Sequence, residues 1–311
     1  MSALPWHADA WARLQSRRTR DAMAHALLLC GAPGLGKRDF AQRFVHGLLC
    51  EAPGDGEACG RCRACLLLAA GSHPDWVTVT FGLRRDGTPR SEIVVEQIRA
   101  LSARLAMNSQ FGGWQVACID PADAMNAAAA NALLKTLEEP SASTLLILLA
   151  DAPWRLPQTI RSRCQRVDFE LPATAQALAW LRSQTVDDAD AALQAAGGNP
   201  GLALAWSRDG ALARRAEVRE DLSALASGRG EPLSVVKRWL ADEPAQRLWF
   251  AAQAAGDERK ARALGADGPL GSVLDDAHLD TWYAATNRTR ESLRGPLRDD
   301  LLVLELLTRW R

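Results

Sequence analysis

The sequence predicts an α/β domain built on a parallel sheet, followed by a region that is helical throughout. Short apolar runs alternate with segments of helical periodicity in the first half, which is typical of parallel strands covered by helices on both faces. Strand signals end near Leu171, and a breaker cluster, GGNPG at residues 197–201, interrupts the helical remainder. A chain of 311 residues, 48% of them apolar, can form two or three cores.

Five short strands are predicted, of which the runs at 26–30 and 144–150 are apolar. The five strands cover residues 26–30, 75–80, 115–119, 144–150 and 167–169.

Helices are predicted between these strands. Phe40, Phe44 and Leu48 follow the first strand at helical spacing. Ser91 is expected to cap a helix whose apolar face is Val94, Ile98, Leu101 and Leu105. An alanine-rich helix is predicted over residues 123–139, stopped by Pro140. Its leucines 133, 134 and 137 are expected to face inward and its glutamates 138 and 139 to be exposed, with no chemistry assigned to them.

Beyond Leu171 the pattern is helical, with tryptophans 206, 239, 249, 282 and 310 as candidate core residues. We therefore predict three domains. Residues 1–170 form the α/β domain, with a metal module at 50–65, residues 171–205 form a small helical domain, and residues 206–311 form a C-terminal helical domain.

Composition restricts the class of partner. Lys plus Arg equals Asp plus Glu at 37 each, whereas a chain that gripped DNA alone through its phosphates would carry a basic excess. The first residues lack a signal-peptide pattern, and no run approaches the ~20 apolar residues of a membrane span. Seven cysteines, four of them between Cys50 and Cys65, favour metal binding over disulfides. The expected location is the cytoplasm.

A phosphate-binding loop is predicted at GAPGLGK, residues 31–37, between a strand and a helix. Gly31, Gly34 and Gly36 let backbone amides face a phosphate chain, and Lys37 would reach the outer phosphates. The motif requires serine or threonine next, to hold magnesium, but Arg38 stands there.

The second half of such a site is also altered. The strand at 115–119 ends before Asp120, where a magnesium-organising aspartate belongs, and Pro121 replaces the glutamate that would polarise water. We expect at most weak ATP binding and no hydrolysis.

Cys50, Cys59, Cys62 and Cys65 stand in a C-x8-C-x2-C-x2-C arrangement. Four thiolates at this spacing can close a tetrahedron around Zn2+ and leave no open position for a catalytic water. The prediction is a structural zinc site, with free or redox-active thiols as the alternative.

Two further motifs carry a family resemblance. NALLKTLEEP at 131–140 and LPQTIRSRC at 156–164 resemble the AAA+ clamp-loader subunits, and the inserted cysteine cluster is similar to that of the bacterial γ/τ and δ′ types. The resemblance covers residues 24–201 closely. It implies an AAA+ P-loop core, a small helical lid and a C-terminal helical collar for oligomerisation.

Within this family the arginine of Ser-Arg-Cys projects to the γ-phosphate of ATP held by a neighbouring subunit, which implies that role for Arg163. The altered phosphate loop matches the δ′ type, a component of DNA polymerase III that itself lacks ATPase activity. Implied partners are the γ/τ and δ subunits and, through the assembled complex, the sliding clamp and primer–template DNA.

Two alternatives stay open. The chain could be a catalytically active γ/τ-like P-loop ATPase, against which Arg38 and Pro121 argue. It could also be a zinc-dependent nucleic-acid binder, against which the zero net charge argues.

Overall fold

The computed structural model describes residues 3–84, 86–141, 143–293 and 297–310. The chain divides into two compact units. The first runs up to Trp180 and includes Gly198–Leu202, and the second comprises Leu181–Gly197 and the chain from Ala203 on. The three-domain division at residues 170 and 205 stays a prediction.

The first unit is built on a five-stranded sheet. Its strands are β1 (Ala26–Cys30), β2 (Trp76–Val79), β3 (Gln115–Ile119), β4 (Thr144–Ala150) and β5 (Gln165–Asp168). They lie in the order β2-β3-β4-β1-β5, and every pairing is parallel. All residues of β1, β3 and β4 are buried, as expected for parallel strands covered on both faces. The predicted α/β fold with a parallel sheet is confirmed.

Helices lie on both faces of this sheet and beside it. They are α1 (Ala8–Thr19), α2 (Lys37–Leu49), α3 (Arg63–Ala69), α4 (Val95–Leu105), α5 (Ala127–Glu138), α6 (Gln158–Arg161) and α7 (Thr174–Ser183, whose last three residues belong to the second unit). Ile98 and Leu101 of α4 and Leu133 of α5 pack on one face. Leu14 of α1 and Phe40 and Phe44 of α2 pack on the other. The phosphate loop therefore lies between β1 and α2, as in an AAA+ P-loop core.

Two helices begin later than the sequence predicted. Ser91 caps no helix, because Ile93 is extended and exchanges backbone hydrogen bonds with Ala124 and Asn126. Helix α4 starts at Val95 instead, with the Gln97 side chain accepting from the Val94 amide. Helix α5 starts at Ala127 rather than at residue 123, because the Asn126 side chain accepts from the Ala129 amide and caps it.

The second unit is helical, which confirms the prediction for the C-terminal region. Its helices are α8 (Ala189–Ala195), α9 (Pro200–Trp206, whose first residues belong to the first unit), α10 (Ala211–Ala226), α11 (Pro232–Ala241), α12 (Pro244–Ala263), α13 (Asp276–Ser292) and α14 (Asp299–Thr308). Trp239, Trp282 and Trp310 are buried in its core, and Trp206 and Trp249 are partly buried against it.

Among the described residues, none of the helices combines the length and the apolar character needed to cross a membrane.

Candidate functional site

The phosphate loop leaves the carboxyl end of β1 and enters α2 at Lys37. Glycine is needed at two of its positions. A Cβ on Gly31 would lie 2.4 Å from the Phe169 carbonyl oxygen, and Gly34 has a φ of +84°, which side-chain-bearing residues rarely adopt. Both positions therefore require glycine.

Lys37 is fully engaged within the protein. Its ammonium lies 2.6 Å from a carboxylate oxygen of Asp151, and it donates to the carbonyls of Gly31 at 2.6 Å and Ala32 at 2.8 Å. The side chain is only 4% exposed, while that of Asp151 is 32% exposed. An ammonium has three donors, and all three are used. A phosphate would have to compete with Asp151 for this lysine.

Arg38 forms a two-pronged ion pair with Asp120. Its Nε donates to one carboxylate oxygen at 2.6 Å and its Nη2 to the other at 2.8 Å. The hydrogen bond to Asp120 raises the pKa of Arg38 further, so the guanidinium stays charged. Both oxygens that could have organised magnesium are thereby occupied by an organic cation. Pro121 follows directly, through a cis peptide bond.

Both acidic residues come from the same edge of the sheet. Asp120 follows β3 and Asp151 follows β4, the strand between β3 and β1. Carboxyl ends of parallel strands meet at one edge, where ligand sites of α/β proteins form. The sequence interpretation noted Asp120 but missed Asp151, although its position after a buried strand was a usable signal.

Side chains from outside the loop bind its carbonyls. Trp6 donates from Nε1 to the Leu35 carbonyl at 3.1 Å, and Nε2 of His7 lies 2.7 Å from the same oxygen. Burial lowers the pKa of His7, so the neutral ring is favoured, with its Nε2 proton donated to that oxygen. The Asn199 amide donates to the Pro33 carbonyl at 2.7 Å. The sequence interpretation gave none of these three residues a role here.

The four cysteines predicted as metal ligands come together. Their sulfur atoms all lie within 4.8 Å of one another, with Cys50 and Cys62 3.9 Å apart and Cys59 and Cys65 4.0 Å apart. Bonds of about 2.3 Å to a tetrahedral zinc place sulfurs about 3.8 Å apart, so the cluster fits this ion. The donors are all sulfur, which suits a structural site rather than a catalytic one.

Local structure prepares these sulfurs for a cation. The Cys59 amide donates to the Cys50 sulfur at 3.2 Å, and the Cys65 amide donates to the Cys62 sulfur at 3.4 Å at the start of α3. Backbone amides of Arg61 and Cys62 lower the pKa of the Cys59 thiol to about 6. Zinc, when bound, would crosslink the end of α2, the turn before α3 and α3 itself.

Arg163 lies just after α6 at the surface. Its Nη2 is 2.7 Å from an oxygen of Glu138, and its Nη1 donates to the Thr159 carbonyl at 3.0 Å. Both members of the ion pair are accessible, with Arg163 37% and Glu138 50% exposed. The two resembling motifs are therefore joined by one ion pair. The exposure of Glu138 was predicted, but its contact with Arg163 was not.

Comparisons with known proteins match this chain to subunits of DNA polymerase III. Residues 6–173 match the family model described as DNA polymerase III, delta subunit. The chain is 39% identical over 249 residues to the DNA polymerase III subunit delta′ of Pseudomonas aeruginosa, covering 79% of this chain and 70% of that protein. It is 35% identical over 204 residues to the Escherichia coli delta′ subunit, covering 65% of this chain and 60% of that protein.

A solved structure of a DNA polymerase III gamma subunit-related protein from Thermotoga maritima is similar to this chain at 16% identity and a TM-score of 0.46, covering 96% of this chain and 99% of that one. The family match extends over more than half of the sequence, and the Pseudomonas aeruginosa relative is aligned over most of its own length. The chain belongs to the DNA polymerase III delta′ subunit family.

Proposed function

We propose that the chain is the δ′-type subunit of a clamp loader, an AAA+ protein that hydrolyses no ATP itself and supplies Arg163 to ATP bound by a neighbouring subunit. Family membership supports the clamp-loader assignment. Its partners are the γ/τ and δ subunits, and through the assembled complex it acts on the sliding clamp and primer–template DNA. Residues 171–205 serve as the lid and residues 206–311 as the collar.

The observation that carries the absence of hydrolysis is the Arg38–Asp120 ion pair. Phosphoryl transfer in P-loop proteins needs a magnesium ion held by a hydroxyl after the loop lysine and by an aspartate. Arg38 supplies no lone pair, its charge repels a metal, and it uses both oxygens of Asp120. No glutamate follows Asp120 to orient water, because Pro121 is there.

The loop lysine supports the same conclusion. In an active site its charge is available to the outer phosphates, whereas Lys37 here is buried against Asp151. Nucleotide binding at Gly31, Gly34, Gly36 and Lys37 is therefore weak at best.

Arg163 has the properties that a trans-acting arginine needs. It is exposed, and its ion pair with Glu138 is of the surface type, which contributes about 0–1 kcal/mol. A triphosphate on a neighbouring subunit can displace Glu138 at little cost. Where measured, arginines delivered in this way accelerate phosphoryl transfer by about 10³–10⁵.

Zinc at Cys50, Cys59, Cys62 and Cys65 has a structural role in this proposal. The cluster stabilises the insertion between α2 and α3 and takes no part in ATP chemistry.

Assembly and ATPase assays test the proposal together. The purified chain should hydrolyse no ATP above background, and it should co-elute with the γ/τ and δ subunits when the three are mixed. ATP turnover by the isolated chain that disappears with Lys37→Ala would instead favour the γ/τ-like ATPase. A chain that binds neither subunit would contradict the clamp-loader assignment.

A further inference from the structure

The segment that carries Arg163 is anchored to the domain from its first residues. The Asp123 carboxylate accepts from the Ala152 amide at 2.9 Å where the segment leaves β4. Pro153, Leu156 and Ile160 are buried beneath it. A 3-10 helix at Pro153–Arg155 and helix α6 fill the space between these anchors. Exposed side chains on this segment are therefore presented from a fixed backbone.

Trp154 is the exposed side chain that stands out. All eleven tryptophans of the chain lie in its described part, and Trp154 alone among them is exposed, at 70%. Scattered exposed aliphatic residues are ordinary on protein surfaces, but an indole brings a far larger apolar area, of about 150–250 Å² when buried. Its position on an anchored turn makes this area available to a partner.

Three arginines follow Trp154 in the sequence of the same segment. Arg155 and Arg161 are exposed, and neither forms an ion pair with any residue that the structure describes. Arg163 pairs with the exposed Glu138 and donates to the Thr159 carbonyl. Tryptophan and arginine are the residue types most enriched at the energetic centres of protein interfaces. Three guanidinium groups in a chain of zero net charge also select an anionic partner surface.

We propose that Trp154, with Arg155 and Arg161, forms the anchor by which this chain docks on the nucleotide-bearing face of a clamp-loader ATPase subunit. The inference rests on the proposed function, because that function places the triphosphate of the neighbour at Arg163. Trp154, nine residues before Arg163 on the same segment, would then meet the protein surface beside that triphosphate. It inserts into an apolar pocket there, while Arg155 and Arg161 face acidic groups. Trp154 thereby supplies binding energy and Arg163 supplies chemistry.

The affinity of the full-length chain for the cognate γ/τ subunit tests this division. Trp154→Ala should raise the dissociation constant at least about 30-fold, the loss typical of an interface centre. Leu83→Ala is the matched control, since Leu83 is a comparably exposed apolar residue of the same unit, at 67%. It should leave the dissociation constant unchanged. The double variant Arg155→Gln/Arg161→Gln should slow association and reduce its dependence on salt.

Hydroxyl-radical footprinting of the complex gives a second measurement. Oxidation of Trp154 should fall when the ATPase subunit is added and stay unchanged when δ alone is added. An unchanged affinity with Trp154→Ala, an equal loss with Leu83→Ala, or protection of Trp154 by δ or by self-association would each overturn the inference. An unchanged affinity with Trp154→Ala, together with normal binding of the ATPase subunit, would leave the proposed function intact. Failure of the unmodified chain to bind at all would contradict the proposed function instead.

Discussion

Neutralising Asp151 should destabilise the first unit, because it leaves the buried ammonium of Lys37 without a counter-charge. Breaking a buried ion pair costs about 3–5 kcal/mol. Asp151 is about one-third exposed and Lys37 keeps two carbonyl acceptors, so water and backbone compensate in part. We therefore expect Asp151→Asn to lower the free energy of unfolding of the first unit by about 2–3 kcal/mol.

A double-mutant cycle isolates the ion pair. Lys37→Met removes the buried charge, and in that background Asp151→Asn should cost less than about 0.5 kcal/mol. The free energy should be read from hydrogen exchange of β1 and β4 amides, which reports the first unit alone. Asp168→Asn is the matched control, because Asp168 pairs with Arg166 at 2.7 Å with both side chains about half exposed. It should change stability by less than about 0.5 kcal/mol.

A second consequence separates stability from ligand binding. Asp151→Asn frees Lys37 for phosphate, so pyrophosphate should protect the variant against unfolding more than it protects the unmodified chain. Asp151→Asn could instead lower the stability equally with Lys37 and with Met at that position, and pyrophosphate could protect the Asp151→Asn variant no more than the unmodified chain. These two results together would show that the lysine is not held by this carboxylate.

Three other predictions concern the metal, hydrolysis and the exposed ion pair. The purified chain should contain one zinc by elemental analysis, and Cys62→Ser should speed hydrogen exchange across residues 50–65 while the sheet stays protected. Cys164→Ser should change neither the zinc content nor the exchange of these residues, and a metal-free chain with an equally protected cluster would contradict the zinc site. The double variant Arg38→Thr/Pro121→Glu should still show no ATPase activity in a phosphate-release assay, because Lys37 stays bound to Asp151. ATP turnover by this variant would show that the Lys37–Asp151 ion pair does not prevent hydrolysis. Glu138→Gln should raise the ATPase rate of the reconstituted complex by no more than about fivefold, because it removes only a surface ion pair with Arg163. The same increase in a complex that carries Arg163→Ala would show that Glu138 does not act through that arginine.

Sequence patterns predicted the three central strands well because these are largely apolar runs, whereas the edge strands Trp76–Val79 and Gln165–Asp168 differ from the predicted 75–80 and 167–169. The strand at Ala26–Cys30 was predicted with its observed ends, as were those at Gln115–Ile119 and Thr144–Ala150. Helix starts were less predictable. Ser91 carries no local signal that Ile93 will be extended beside Met125, a pairing between segments distant in sequence, and such tertiary hydrogen bonds override a local helix cap. The start of α5 did have a local signal, since Asn126 caps it.

The candidate site shows the same contrast between local sequence patterns and contacts of residues distant in sequence. Cysteine spacing predicted a cluster that the fold brings together, because the four residues are close in sequence. The partners of Lys37, Arg38 and Arg163 are more difficult to predict, since each ion pair joins residues far apart along the chain. Parallel-strand topology could have predicted Asp151, whereas side-chain conformation alone decides that Glu138 contacts Arg163.

The ATPase rate of the reconstituted clamp loader tests the proposed role of this chain most directly. Arg163→Ala should leave folding, zinc content and assembly with γ/τ and δ unchanged. It should lower the DNA-stimulated ATPase rate and the rate of clamp loading, because one ATP site of the complex loses its guanidinium. Arg163→Lys should restore little, since an ammonium lacks the planar fork of a guanidinium. A complex that assembles normally with Arg163→Ala and loads clamps at the unmodified rate would contradict the trans-acting role.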